Sequence, residues 1–165
     1  MIVMRIALVY YSKTGRTRRV AQCIYESVKS LGHIIDMYEL RARREYMPYL
    51  LHLNPRLLYD TLIKRKVDIE VKIDVDKYNC LIIGSPIWYN TITPVIRTFI
   101  ELFRGKRLKV ICFTTSDLQM NYSLRFRKEL EELGYEVLYN FDAVKGKIRE
   151  EDMKRLVEII RREVL

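Results

Sequence analysis

The chain has 165 residues, a length that suits one domain with one hydrophobic core, and 49% of them are hydrophobic. No apolar run approaches the roughly 20 residues that a transmembrane helix needs, and the N-terminus lacks the apolar core of a signal peptide. We therefore predict a single domain over residues 1–165, a cytoplasmic location and no membrane span. The net charge of +9 permits an anionic ligand or an acidic partner, but the aromatic and basic arrays of nucleic-acid-binding proteins are not evident.

The first predicted strand, residues 6–10, runs into a polar loop at residues 12–17. This loop carries hydroxyls, one glycine and two cations: Ser12, Lys13, Thr14, Gly15, Arg16 and Thr17. The helix that follows begins with unpaired N–H groups and the positive end of its dipole, so the loop is suited to hold a phosphate. It is neither a Walker A loop nor a GxGxxG loop. The alternative is a polar connection whose hydroxyls only cap the helix.

A helix over residues 17–31 and a second strand over residues 33–40 come next. The helix is indicated by one apolar stripe at helical spacing, and Gly32 ends it. His33 is predicted to lie at the surface of the turn. Cys23, Cys80 and Cys112 lie singly, without a Cys-x-x-Cys pair, so we predict core thiols and neither disulfides nor a metal site.

Residues 41–66 interrupt this regular pattern. They contain seven Lys or Arg against two acidic residues, a local net charge of +5, together with three tyrosines. Asn54-Pro55 indicates a helix start, and we predict a helix over residues 55–64. The segment is either a basic, aromatic flap beside a ligand or an ordinary crossover with a charged, solvated face, and we favour the crossover.

Residues 67–75 alternate apolar and charged residues, which predicts an extended segment, either an edge strand or a run along the side of the domain. Residues 80–85, CLIIGS, form a fully apolar strand of the kind that parallel sheets require. The loop at residues 86–91 that follows contains Trp88, the only tryptophan of the chain, with Tyr89 beside it.

The rest of the chain continues the alternation of strands and helices. We predict a helix over residues 93–105, a strand over 108–114, a loop at 115–117, a helix that Gly134 ends, a strand over 135–141 and a last helix over 153–164. The alternation predicts a twisted parallel sheet with helices on both faces. Ligands of such folds bind past the carboxyl ends of the strands, where the loops 12–17, 86–91 and 115–122 would meet.

These loops together suggest a flavin. A loop for a phosphate and an aromatic platform at Trp88 and Tyr89 match the two ends of flavin mononucleotide (FMN), because exposed aromatic rings are favourable only when something flat covers them. The alternative for Trp88 is a half-buried aromatic residue of the core.

Two motifs of the chain resemble those of the flavodoxin family. The loop SKTGRT resembles the family's [ST]-x-T-G-x-T phosphate loop, and residues 78–101, YNCLIIGSPIWYNTITPVIRTFIE, resemble the segment with G-[ST]-P-x-[WY] after the third strand. The resemblance implies a flavodoxin-like, doubly wound, five-stranded parallel sheet in the order 2-1-3-4-5, and FMN as the cofactor.

The resemblance also implies the site residues. The loop from Ser12 to Thr17, Lys13 included, would hold the FMN phosphate. The ring would be lined by Pro86, Ile87, Trp88, Tyr89 and Asn90. The third loop would add Thr115, Ser116 and Asp117, although its sequence TTSDL at residues 114–118 departs from the glycine and acidic residues that many flavodoxins have there. No catalytic or metal-ligating side chain is predicted.

The sequence leaves three functions open. The first is an electron-transfer flavoprotein that works with a redox partner protein or a small-molecule acceptor. The second is an FMN-dependent oxidoreductase, either an NAD(P)H or quinone reductase or a protoporphyrinogen-oxidase-like enzyme. The third is a flavin-free binding module of the same fold. The basic charge differs from the acidic charge of typical electron-carrier flavodoxins, and the oligomeric state stays open.

Overall fold

A computed structural model describes residues 2–43, 55–56 and 68–163 of the chain. Five strands run parallel: β1 (Arg5–Tyr10), β2 (Ile34–Glu39), β3 (Cys80–Trp88), β5 (Lys109–Ser116) and β6 (Glu136–Val144). A two-residue strand, β4 (Thr91–Ile92), pairs antiparallel with the end of β3. The spatial order is β2-β1-β3-β5-β6. The predicted order of the parallel strands, 2-1-3-4-5, is thus confirmed, and β4 is an addition that was not predicted.

Helices cover both faces of the sheet: α1 (Arg16–Ser30), α2 (Pro94–Leu102), α3 (Tyr122–Glu132) and α4 (Glu150–Glu163). One hydrophobic cluster joins strand residues to α2 and α3 through Phe99 and Phe126. The other joins strand residues to α1 and α4 through Ile24 and Leu156. Because successive strand residues point to opposite faces, the apolar strands supply both clusters. The flavodoxin-like α/β architecture is confirmed.

The strand register brings the three predicted loops to one edge. Tyr10 at the end of β1 pairs with Gly84 of β3, and Pro86 of β3 pairs with Thr115 of β5. The loops after these strands therefore begin at neighbouring positions. This is the carboxyl edge at which parallel sheets bind their ligands.

Two predictions about single residues are wrong. His33 is buried, and its Nδ1 accepts a hydrogen bond from the backbone N–H of Met4 at 3.3 Å. Cys23 is exposed, because it lies off the buried stripe of α1. Cys80 and Cys112 are buried as predicted, and burial raises the pKa of the Cys80 thiol to about 12, so this thiol stays protonated at neutral pH.

The crossover between β2 and β3 is described only in part. The predicted helix over residues 55–64 lies outside the described residues except for 55–56, which are helical. At the base of the crossover, Ala42 pairs with Ile69 in an isolated antiparallel bridge. Residues 68–74 form no named strand, and a 3₁₀ turn follows at Val75–Lys77. The alternating segment therefore runs along the core, with Ile69, Val71 and Ile73 packed against it.

Within the described ranges, none of the helices combines the length and the apolar composition that crossing a membrane requires. In the same part of the chain, no group of three or more His, Cys, Asp or Glu side chains is arranged to hold a metal ion.

Candidate functional site

A cleft of about 180 Å³ lies where the loops after β1, β3 and β5 meet. The first loop contributes Lys13, Thr14, Arg16 and Thr17, the second Pro86, Ile87 and Trp88, and the third Thr115, Ser116 and Asp117. The structure therefore brings ten of the fourteen predicted site residues to one cleft. Of the residues that line it, the first loop supplies two cations, Lys13 and Arg16, and the second loop supplies the aromatic ring of Trp88.

The first loop ends at the start of α1, where the N-cap residue itself has no side chain to cap the helix. Gly15 takes the N-cap position with φ 94°, a left-handed conformation that favours glycine. The Ser12 hydroxyl accepts hydrogen bonds from the N–H groups of Gly15 (3.1 Å) and Arg18 (3.3 Å). Ser12 and Gly15 do not line the cleft; they shape the loop so that α1 begins there. The positive end of the α1 dipole therefore lies at the cleft.

The third loop is tied directly to the first. The hydroxyls of Thr17 and Thr115 are buried and lie 2.7 Å apart in a hydrogen bond. Arg16 forms an ion pair with Asp117 across the exposed side of the cleft. The N–H of Lys145, at the end of β6, donates to the carbonyl of Ser116 at 2.7 Å. The third loop is thus held beside the first loop, as the resemblance to the flavodoxin family predicts.

The second loop is a β-hairpin. Ile87 pairs with Ile92 and Trp88 with Thr91, so Tyr89 and Asn90 form a two-residue turn. Both turn residues have positive φ, 48° and 63°, as a type I′ hairpin turn requires. Tyr89 and Asn90 do not line the cleft. They turn the chain so that Trp88 does.

The Trp88 side chain packs against the hydrophobic core on one side. Its ring is half-buried and meets the buried Tyr11 ring edge to face, with centroids 5.5 Å apart and planes at 81°. Trp88 also packs against the cluster under α2 and α3. Trp88 therefore packs on the core, as one interpretation from the sequence predicts, and also lines the cleft. Its role as the platform of a flavin ring stays a prediction.

Side-chain hydrogen bonds anchor the hairpin, and sequence reasoning missed two of the donors, Tyr122 and Arg97. At the base, the Ser85 hydroxyl accepts from the Thr93 N–H at 3.1 Å. At the tip, the Tyr122 hydroxyl donates to Asn90 Oδ1 at 2.9 Å. Arg97 Nη2 donates to Thr91 Oγ1 at 2.7 Å. Tyr122 could pass for a core aromatic of α3, and Arg97 shows in the sequence only as a cation beside an apolar stripe.

A second cleft of about 210 Å³ lies on the other side of the first loop, beside the end of β2. Its charged lining includes Lys13, Arg18, Glu39 and Arg41. Burial acts to raise the pKa of Glu39, but the hydrogen bonds and charge of Arg18 outweigh it and lower the pKa below 4.5. Glu39 is therefore ionised at neutral pH and holds Arg18 through contacts of 3.0 and 2.5 Å.

Known proteins share this fold. With a TM-score of 0.77, the chain superposes on a protein from Bacteroides eggerthii that was assigned as a flavoprotein, at 23% identity over 96% of this chain and 98% of that one. A flavoprotein from Lactobacillus acidophilus in complex with FMN superposes with a TM-score of 0.71, at 21% identity over 85% of this chain and 93% of that one. A flavodoxin from the Archaea superposes with a TM-score of 0.58, at 14% identity over 98% of this chain and 94% of that one. Among curated proteins, no sequence matches significantly. The flavodoxin family model matches residues 5–160, nearly the whole length, and the chain belongs to the flavodoxin family.

Proposed function

We propose that this chain binds FMN in the cleft between its three loops and transfers electrons through it. The cofactor follows from the flavodoxin family and from the fold neighbour of Lactobacillus acidophilus, which was crystallised with FMN. The single observation that carries the site is the meeting of the glycine-capped start of α1 and a half-buried tryptophan in one cleft. Such a cleft offers a place for an anion and a place for a flat ring.

The residues of the first loop that line the cleft fit a phosphate. The exposed Thr14 hydroxyl, the N-terminus of α1 and the Arg16 guanidinium all lie on this side of the cleft. Hydroxyl and N–H donors at a helix N-terminus are the usual partners of a phosphate. Arg16 is shared with Asp117, so a bound phosphate would compete with that carboxylate for the guanidinium.

The ring end fits a flavin that stays partly exposed. Pro86, Ile87 and Trp88 offer apolar surface there. The cleft volume of about 180 Å³ is below the range of about 300–1,000 Å³ that is typical of enclosed small-molecule pockets. Part of a bound nucleotide would therefore lie in solvent, an arrangement that suits exchange of electrons with an external partner.

In this proposal the protein binds and orients, and bound FMN supplies the redox chemistry. The loop from Ser12 to Thr17 holds the phosphate, the hairpin orients the ring and the third loop closes the side. The electron donor and acceptor, whether a protein or a small molecule, stay undefined. A cytoplasmic location and a single domain stay predictions from the sequence.

The phosphate assignment is tested by comparing FMN with riboflavin, which lacks the phosphate. Thr14→Val removes one hydroxyl donor from an exposed position. We expect FMN binding to weaken about 10- to 100-fold, because a hydrogen bond to a charged group contributes about 1.5–3 kcal/mol, and riboflavin binding to stay unchanged. Titration of the apoprotein, followed by flavin and tryptophan fluorescence, measures both affinities.

Thr115→Val is the matched control, because it removes a hydroxyl that is committed to Thr17 and should affect both ligands alike. Equal losses of FMN and riboflavin in Thr14→Val would contradict the phosphate site. Failure of the wild-type apoprotein to take up FMN would contradict the proposed function as a whole. Steady-state NAD(P)H oxidation with quinones then separates an electron carrier from a reductase.

A further inference from the structure

Arg97, in α2, is an unusual residue for its position. Its side chain is only 6% exposed. Nη2 donates to Thr91 Oγ1 at 2.7 Å and lies 3.5 Å from Glu129 Oε1 of α3. The other two nitrogens, Nε and Nη1, are buried and have no hydrogen-bond partner among the described residues. A permanently charged group is therefore buried with only part of its hydrogen bonds made.

Such an arrangement costs stability. Burial of a charge is unfavourable unless the charge is paired and fully hydrogen-bonded, and within the described part of the chain two of the three guanidinium nitrogens of Arg97 have no partner. Its neighbours on α2, Ile96 and Phe99, are fully buried apolar residues. A neutral donor would be enough to hold the Thr91 hydroxyl. Glu129 lies near only one of the guanidinium nitrogens, so the fold compensates the positive charge only in part.

The charge is linked to the wall of the proposed flavin site through the hairpin. Thr91, which accepts the hydrogen bond of Arg97, pairs across the hairpin with Trp88. Opposite residues of an antiparallel pair have Cα atoms about 5 Å apart. Trp88 lines the cleft. Because the guanidinium is shielded from solvent, its field at the cleft is screened far less by salt than that of a surface cation.

We propose that Arg97 tunes the redox potential of the bound flavin by stabilising the negative charge of its reduced form. This inference rests on the proposed function, that is, on FMN in the cleft. Two electrons from the redox partner and one proton from solvent convert the neutral ring into an anionic reduced ring. A fixed positive charge behind Trp88 favours the anionic form and makes the potential less negative.

Glu129 makes the inference testable in both directions. Its carboxylate lies 3.5 Å from Arg97 and is about one quarter exposed, so it offsets part of the guanidinium field. Removing the charge of Arg97 and removing that of Glu129 should therefore shift the potential in opposite directions. A purely structural role would weaken the packing of the hairpin in both variants and would not reverse the sign.

The experiment is an anaerobic, dye-equilibrated titration of the FMN-loaded wild type, Arg97→Gln, Arg97→Lys and Glu129→Gln. Glutamine keeps a donor for Thr91 without the charge. We expect Arg97→Gln to weaken the binding of reduced FMN relative to oxidised FMN about tenfold, which is about 30 mV toward negative potential for a two-electron couple. Glu129→Gln should shift it the opposite way. Arg97→Lys should stay near the wild type, and these shifts should persist at high salt.

Shifts of the redox potential with the same sign in Arg97→Gln and Glu129→Gln, or no shift in either variant, would overturn the inference about Arg97. The proposed function would still be supported if the wild type binds FMN. If Arg97→Gln does not fold, a Glu129→Gln potential equal to that of the wild type has the same meaning. Failure of the wild type to bind FMN would overturn both.

Discussion

Gly84 lies where β3 passes under the ring of Phe113. A Cβ at this position would come 2.1 Å from the Cζ atom of that ring. Phe113 is fully buried and stacks on Phe141, with centroids 5.5 Å apart, so the ring has little space into which it can move. We expect Gly84→Ala to lower the free energy of unfolding by about 1–3 kcal/mol, as overpacking of a core usually does. Urea denaturation followed by circular dichroism measures this change.

The double variant Gly84→Ala/Phe113→Leu is the control. A leucine removes the ring atoms that the new methyl group would meet, so the double variant should be more stable than the sum of the two single changes predicts. Coupling of about 0.5–3 kcal/mol is usual for residues in contact. Strictly additive losses would show that the ring is not what requires glycine at this position.

Glu39 predicts a pH dependence of stability. Its pKa is lower in the folded protein than the ordinary 4.5, because Arg18 outweighs the effect of burial. Such a carboxylate stabilises the fold above its unfolded pKa, and the stabilisation is lost as pH falls through the folded pKa. The difference in unfolding free energy between wild type and Glu39→Gln should therefore be constant above about pH 5 and shrink as the pH falls further. Denaturant titrations across this range measure it, and a constant difference would contradict the ion pair with Arg18.

At the scale of elements, the β3–β4 hairpin is held at its tip by Tyr122 and Asn90. Asn90 has two roles, since its φ of 63° is left-handed and its Oδ1 accepts the Tyr122 hydroxyl. Asn90→Gly keeps the conformation and loses the hydrogen bond, whereas Asn90→Ala loses the bond and adds backbone strain. We expect unfolding free energies in the order wild type, Asn90→Gly, Asn90→Ala. The first step should be about 0.5–1.5 kcal/mol and the second about 1–2 kcal/mol.

Tyr122→Phe is the matched control for the hairpin, because it removes the same hydrogen bond from the α3 side and leaves the turn residues intact. Its effect should equal that of Asn90→Gly. A larger loss of stability in Asn90→Gly than in Asn90→Ala would contradict the left-handed turn. Trp88 emission reports the hairpin in the same samples, because Trp88 is the only tryptophan and lies two residues from Asn90.

At the scale of the whole molecule, the net charge of +9 should act on the redox potential. Lys13 and Arg16 line the cleft, with Asp117 opposite, and Arg16 is about half exposed. These surface charges are screened over about 10 Å at 0.1 M salt and about 3 Å at 1 M. We expect the potential for two-electron reduction of the FMN-loaded protein to become more negative as salt is added. Dye-equilibrated titrations at low and high salt measure this dependence.

The control for this prediction is Lys13→Gln, which removes a surface cation from the cleft and should reduce the salt dependence. A potential that does not change with salt would show that the exposed cations do not act on the flavin. The same measurement separates the contribution of the exposed cations to the redox potential from that of Arg97. The buried charge of Arg97 should contribute equally at both salt concentrations. The basic segment at residues 41–66 lies mostly outside the described residues, and its role as flap or crossover stays a prediction.

The sequence by itself determined the parallel sheet and the loops that meet at its carboxyl edge, and the resemblance of two motifs to the flavodoxin family implied the strand order. Apolar runs such as CLIIGS and apolar stripes at helical spacing are local signals, because a strand or a helix face must bury them wherever it packs. The handedness of the crossovers then leaves few ways to assemble the elements. The motifs in the first two loops placed Thr14 and Trp88 in one site, and the cleft brings both together.

Only the tertiary structure decided the contacts that hold this site in shape. The Thr17–Thr115 hydrogen bond, the anchor of Tyr122 on Asn90 and the buried charge of Arg97 each join residues from different elements. Local periodicity does not identify such partners, and it placed His33 at the surface although the Met4 N–H covers its ring nitrogen. The left-handed turn at Tyr89 and Asn90 is also a tertiary feature, since neither residue is the glycine that usually marks such a turn. It persists because packing and hydrogen bonds around the hairpin offset its strain.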